Sequence, residues 1–221
     1  MKRNKDENTL VVNEIFFSIQ GESSWMGLPC VFVRLTYCDL RCAWCDTEYA
    51  FYEGVEMTID EIIEKVKSYN CKLVEITGGE PLFQENSIKL MKKLCDENFT
   101  VLLETGGHRD ISQVDKRVHI IMDIKCPGSK MSHKNRWENI NYLSKKDEVK
   151  FVIKDRVDYE WAKEIIEKFK LYEKVGTILF SPVFGEIEPV TLARWILEDK
   201  LPVRFQLQMH KYIWSPDARG V

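Results

Sequence analysis

Three cysteines crowd into eight residues, Cys38-Asp-Leu-Arg-Cys42-Ala-Trp-Cys45, spaced C-x-x-x-C-x-x-C directly after an apolar, β-rich run. Soft thiolate ligands suit zinc or an iron–sulfur cluster. With no fourth cysteine nearby, a cluster held here leaves one iron without a protein ligand, open to a bound molecule. The same residues allow a closed zinc site, either with Cys42 and Cys45 as one half and a distant pair as the other, for which no second C-x-x-C exists, or as a site of three cysteines and one histidine using His108, His119, His133 or His210. Farther on, Gly78-Gly79-Glu80-Pro81 follows another apolar run. Glycines let backbone approach a ligand closely, and a carboxylate accepts hydrogen bonds from an ammonium group. A Gly-Gly turn closed by proline is the plainer reading.

The elements that must position these residues alternate between β-rich runs and amphipathic stretches, the pattern of parallel βα units. Strands are expected at 30–36, 73–77, 100–104, 119–123, 149–153, 177–180 and 202–207, after an extended run at 10–19. The clearest helix begins at Thr58, where Thr58 and Glu61 suit a capping box and Ile59, Ile62, Ile63 and Val66 share a face. Others are expected at 87–97, 158–169 and 189–198, the last with a proline suited to its first turn. A complete eightfold barrel takes about 250 residues, so about six to seven parallel strands in this length predict an α/β fold that is an incomplete (β/α) barrel. In such a fold the active site gathers at the C-terminal strand ends. The loops there carry Cys38 to Asp46, then Gly78 to Pro81, Thr105-Gly106-Gly107, Lys125, Lys154, Ser181-Pro182 and finally His210.

At 221 residues, with no linker, repeat or low-complexity segment, the chain is expected to form a single domain over 1–221. Its 44% hydrophobic and 30% charged residues exclude disordered and collagen-like classes. A formal charge of −3 gives no global basic field for nucleic acid, which makes a small ligand the expected partner. No apolar run is long enough for a signal sequence or a membrane span, so a cytoplasmic location is expected. Seven cysteines, an odd count, argue against a disulfide framework. Cys30, Cys71, Cys95 and Cys126 read as small apolar side chains in apolar surroundings.

At the cysteine motif, with aromatic Trp44 before its last member, the chain resembles the radical S-adenosylmethionine (SAM) superfamily, and Gly78-Gly79-Glu80-Pro81 matches the stretch that contacts the SAM amino group there. That resemblance implies a 4Fe-4S cluster on Cys38, Cys42 and Cys45, and SAM cleaved to a 5'-deoxyadenosyl radical that abstracts hydrogen. The stretch Glu14-Ile-Phe-Phe-Ser-Ile-Gln20-Gly21-Glu22, together with Arg34, Cys45-Asp46-Thr47 and His210-Lys211, is similar to the 7-carboxy-7-deazaguanine synthase family of queuosine and 7-deazapurine biosynthesis, nearly end to end. The likeness implies a substrate, 6-carboxy-5,6,7,8-tetrahydropterin, whose carboxylate pairs with Arg34 while Ile19, Gln20, Gly21, Glu22, Thr105, His210 and Val221 meet the rest. It implies Mg²⁺ on Thr47. SAM would be lined by Trp44, Cys45, Asp46, Gly78, Gly79, Glu80, Gly107, Asp123, Ile124, Lys125, Ser181, Pro182, Val183 and Phe184. Hydrogen abstraction at C6, radical ring contraction and ammonia loss would follow, with SAM regenerated. A flavodoxin- or ferredoxin-type electron donor and a homodimer are also implied. The chain departs from the family at Ser23, where glycine is frequent, and over its last residues, 213–221. Two other readings are a glycyl-radical activase, which shares the cysteine motif, and a zinc-stabilised binding module without catalysis.

Overall fold

The computed structural model describes residues 8–221. Among them nine strands form one sheet in the order β3-β1-β2-β4-β5-β6-β7-β8-β9: β1 (Thr9–Ile19), β2 (Pro29–Leu35), β3 (Val55–Thr58), β4 (Leu73–Gly78), β5 (Thr100–Thr105), β6 (His119–Asp123), β7 (Glu148–Ile153), β8 (Thr177–Pro182) and β9 (Arg204–Phe205). From β2 through β4 to β9 every neighbouring pair is parallel, whereas β1 runs antiparallel to β2 and β3. The sheet is therefore an open parallel barrel, as the strand count predicts, extended at one edge by β1 and β3, which pair antiparallel.

Successive side chains in a strand point to opposite faces, and here both faces are buried. One face, with Val33, Leu35, Val74, Ile76, Leu103, Phe151 and Phe180, packs against helices α1 (Ile59–Lys67), α2 (Asn86–Asp96), α3 (Arg156–Phe169) and α5 (Pro189–Asp199). The other face lines the concave interior. Its lower layer is a separate apolar cluster of Cys30, Phe32, Leu73, Leu102, Ile121 and Leu179. Two residues further along the same strands the interior turns polar: Arg34, Glu75, Glu104, Asp123 and Ser181. An apolar floor beneath a polar chamber is thus written into the two-residue period.

Helix α1 starts as expected. Thr58 Oγ1 accepts the Glu61 N–H at 3.2 Å, Glu61 Oε2 accepts the Thr58 N–H at 2.8 Å, and Ile59, Ile62, Ile63 and Val66 are buried. Thr58→Ala should lower stability by about 1 kcal/mol, read as a fall of about 2–4 °C in thermal midpoint for a chain of this size; an unchanged midpoint would show the cap to be immaterial. Helix α3 begins earlier than 158 because Asp155 caps it, accepting the Asp158 N–H at 3.0 Å. The strand expected at 202–207 shrinks to Arg204–Phe205: Pro202 brings no N–H to a ladder, and β9 pairs with β8 at only two positions. The sequence reading missed β3 and the short helices α4 (Leu171–Lys174) and α6 (His210–Ile213), none longer than four residues.

Candidate active site

The C-terminal strand ends open into a cavity of about 780 Å³. Its rim begins at the cysteine loop, where Tyr37, in the left-handed region at φ 80°, turns the chain out of β2. Cys38, Cys42 and Cys45 are free, half-buried and line the cavity. Burial pushes the Cys38 thiol up to about 11, and also raises Cys42, against which the nearby Lys125 ammonium favours the thiolate. Thiolate ligation would release these protons. The guanidinium of Arg41 braces the loop, donating to the carbonyls of Cys38 at 2.8 Å and Leu40 at 2.6 Å and lying 4.3 Å from the Phe51 ring centroid.

Among the described residues no fourth ligand for a closed zinc site is gathered beside these cysteines. His108 Nε2 is held by Asp39 at 2.7 Å, and His119 lies at the start of β6, away from the rim, against Trp25. Among the described residues no three His, Cys, Asp or Glu side chains converge closely enough for a single metal ion. A multi-iron cluster spreads its thiolates more widely than one ion does, and three cysteines facing one cavity suit that donor set.

The glycine-rich loop packs directly on the cysteine loop. A Cβ on Gly79 would overlap the Tyr37 carbonyl, and the Glu80 N–H donates to that same carbonyl at 2.8 Å. The Glu80 carboxylate is buried and accepts from Leu82 N–H at 3.0 Å, Thr105 Oγ1 at 2.8 Å and Gly106 N–H at 2.8 Å. Glu80 and Thr105, both read from the sequence as facing ligands, are thus also the clasp between the loops after β4 and β5. Gly107 needs its glycine, since φ is +70° and a Cβ would lie 2.9 Å from Met122 Cγ. Gly107, Ile124 and Pro182 stand behind the cavity wall, whereas Trp44, Asp46, Gly78, Ser181, Val183 and Phe184 line it.

Asp123 and Lys125 form a pair at 2.7 Å across Asp123 Oδ2, and the other oxygen, Oδ1, is buried with no hydrogen-bond partner among the described residues. An orphaned acceptor of this kind costs free energy unless a donor reaches it, which fits a cavity made for a ligand carrying hydroxyl or ammonium groups. Lys154, on the list of rim residues expected from the sequence, instead pairs with Glu186 at 3.3 Å and does not line the cavity.

Opposite the cysteines, Gly21 lets α6 rest on the end of β1: a Cβ there would overlap His210 Nδ1, and the Met209 N–H donates to the Gly21 carbonyl at 3.0 Å. Glu22 accepts from Lys150 at 2.9 Å, Gln206 at 3.0 Å and Gln208 at 3.1 Å. Burial opposes its charge, but Lys150 and His210 hold its carboxyl below the ordinary range. Asp46 behaves likewise: against burial, Lys211 at 2.9 Å and Gln208 at 3.0 Å bring it to about 2. Gln20 is buried, donating to Glu75 and accepting the Glu22 N–H at 3.0 Å. Arg34 gives its Nε–H to Glu14 at 2.8 Å, leaving its two terminal nitrogens without a hydrogen-bond partner among the described residues. Thr47 lies with Oγ1 3.8 Å from Cys45 Sγ, and Ile19 and Val221 complete the lining, the latter on a tail whose Arg219 lies 3.9 Å from the Tyr49 ring centroid.

Sequence reasoning missed Glu75, Glu104 and Lys150, all in the cavity wall. It looked only at strand ends, although a charged residue inside an otherwise apolar strand, as in Leu73-Val-Glu75-Ile-Thr77, was a signal available without the structure.

Residues 33–196 match the radical SAM superfamily. The chain is similar to a 7-carboxy-7-deazaguanine synthase of Chlorobaculum tepidum, 50% identical over 97% of this chain and 99% of the relative. It is 47% identical to the enzyme of that name from Koribacter versatilis, over 95% and 99% of the two chains. The crystal structure of QueE from Escherichia coli shares its fold, with a TM-score of 0.77 at 19% identity over 91% of this chain and 95% of that one. A likeness that spans nearly whole chains, joined to free cysteines on the rim of an open parallel barrel, leads to one conclusion: the chain belongs to the radical SAM superfamily and, within it, to the 7-carboxy-7-deazaguanine synthase family.

Proposed function

We infer that the protein converts 6-carboxy-5,6,7,8-tetrahydropterin to 7-carboxy-7-deazaguanine with release of ammonia, as a step of 7-deazapurine biosynthesis. The observation that carries this reading is one cavity with free cysteines on one wall and the uncommitted end of Arg34 on another. When bound, the 4Fe-4S cluster and SAM supply the reducing electron and the radical that abstracts hydrogen. Cys38, Cys42 and Cys45 hold the cluster. Gly78 and Gly79 offer close backbone, while Glu80, Asp123 and the segment Ser181 to Phe184 receive the polar groups of SAM. Trp44, Asp46 and Lys125 border the same space, and Gly107 and Ile124 support it from the loops behind.

On the substrate side, the terminal nitrogens of Arg34 suit a carboxylate in the forked geometry of guanidinium pairs. Glu22, kept ionised by Lys150, offers acceptors to the N–H edge of the aminopyrimidinone, and Gln20, Gly21 and His210 frame it. Ile19, Thr105 and Val221 bound the remaining sides, and the C-terminal tail limits access of water. The hydroxyl of Thr47 is a hard oxygen ligand suited to Mg²⁺. A flavodoxin- or ferredoxin-type donor supplies electrons, and the working unit is a homodimer.

Anaerobic incubation of the reconstituted holoenzyme with reductant, SAM, Mg²⁺ and this pterin should give product and ammonia in equal amounts. No product despite a reducible cluster would overturn the reading. Thr47→Ala should shift the Mg²⁺ dependence to higher concentration by about 10–100-fold, the scale of losing a supporting group at a metal, with activity recovered at excess Mg²⁺. An unaltered Mg²⁺ titration would remove Thr47 from the site.

A further inference from the structure

Below the rim, beside the Asp123–Lys125 pair, three further carboxyl groups gather around the Lys150 ammonium. Lys150, buried on β7, pairs with Glu22 at 2.9 Å and with Glu104 on β5. Glu75, buried on β4 directly above the apolar floor, receives neither; its partner is the side-chain amide of Gln20. The charged groups facing it are Glu104, Glu22 and Lys150, with the Cys30 thiol on the floor side. A third anion beside two others in a site of low polarisability is costly, and such a group keeps its proton. Burial first, then Glu104 and Glu22, push Glu75 well above the ordinary carboxyl range. An apolar residue here would pack on Leu73 and Phe32 without that cost, so the position calls for a chemical account.

We propose that Glu75 is the general acid that protonates the departing nitrogen when the ring-contracted substrate expels ammonia. The inference rests on the function proposed above. An amine leaves with its bonding electron pair only when protonated. The carboxyl O–H of Glu75 gives its proton to the nitrogen, the C–N bond breaks, and the electron pair leaves with ammonia. The Glu75 carboxylate then takes the proton from the adjacent ring carbon as the C=C bond forms, which restores the acid. The step consumes no oxidant, reductant or net proton. Gln20 orients the carboxyl, and Lys150, bonded to Glu22 and Glu104 but not to Glu75, favours their charged forms; burial raises Glu104 as well, but Glu75, without that bond, is the one pushed well above the ordinary range.

The test uses Glu75→Gln and Glu75→Asp holoenzymes with substrate deuterated at C6, reading two halves of the reaction separately. In Glu75→Gln, which keeps the shape and the Gln20 contact but has no acidic proton, deuterium should still pass from substrate into SAM at a rate within about 3-fold of the parent. Ammonia and product should fall about 10²–10⁴-fold, the contribution of a positioned acid, and Glu75→Asp should recover part of that loss. Product at the parent rate in Glu75→Gln would overturn the proposal, as would equal loss of both halves, which indicates a binding or structural role. Should neither variant retain its cluster, infrared spectroscopy of the unaltered holoenzyme at neutral pH decides: absence of a protonated-carboxyl band contradicts the proposal. If the unaltered enzyme transfers no deuterium from this pterin, the failure lies with the proposed substrate instead.

Discussion

Cys42→Ala is expected to lose turnover by more than about 10³-fold, equivalent to at least about 4 kcal/mol of activation free energy, and to lose iron and sulfide after anaerobic reconstitution. On the proposed assignment three cysteines are the whole protein ligand set for the cluster, so removing one leaves a second iron unheld. The fold should not suffer. Cys42 is half-buried on a loop, outside both apolar clusters, and that loop is fixed independently by Arg41 and by the Ala43 N–H bond to the Ser129 carbonyl at 3.1 Å. Iron analysis, turnover and a thermal melt separate the outcomes. Full activity, or a collapse of the melt, would each be inconsistent with the role assigned to Cys42.

Lys150→Met should cost about 3–5 kcal/mol of stability, because it leaves Glu22 and Glu104 as buried carboxylates without their cation. In a chain of this size that is a fall of roughly 6–20 °C in thermal midpoint. The pH dependence follows from the two partners. Glu104 and Glu22 raise the Lys150 ammonium above its ordinary value despite burial, so its contribution is fully present at neutral pH and is lost only as pH rises through the raised value. Glu22 is depressed, so its contribution is present above the ordinary glutamate value near 4 and is lost as pH falls through the depressed one. Glu104 is raised by burial even with Lys150 in place and would move higher without it, so the deficit of Lys150→Met should shrink as pH falls and the stranded carboxylates take up protons. Adding Glu104→Gln should recover part of it, since the two positions share one interaction. Melts of the metal-free protein at several pH values test this, and a deficit under about 1 kcal/mol would mean that the pair is solvated.

These two residues also show what was legible in the sequence and what was not. The place of Cys42 on the cavity rim was readable at once, because C-x-x-x-C-x-x-C directly after a strand is a matter of residue type and spacing and needs no tertiary information. The barrel strands were equally clear, since a parallel strand covered on both faces reads as a nearly continuous apolar run. The partner of Lys150 was not legible: a lysine inside Val149-Lys150-Phe151-Val152 signals a buried charge, but nothing local says that it meets Glu22, 128 residues earlier in the chain. The clasp role of Glu80 was likewise invisible, because its partners Thr105 and Gly106 arrive from the next βα unit. Short elements such as β3 and α6 escaped notice because four residues carry too little periodicity to register. Gly21 explains why α6 matters: the Q-G-E stretch and His210 are one contact, seen only once β1 and the C-terminal segment are brought together.

The central claim is that cluster cysteines and pterin site form one active site on the barrel rim, and deuterium at C6 of 6-carboxy-5,6,7,8-tetrahydropterin tests it most directly. With reduced, cluster-loaded protein, mass spectrometry should find that deuterium in the SAM pool and, in the same incubation, 7-carboxy-7-deazaguanine, with both signals absent in Cys42→Ala. Cleaved SAM carrying no deuterium, beside unchanged pterin, would contradict the claim.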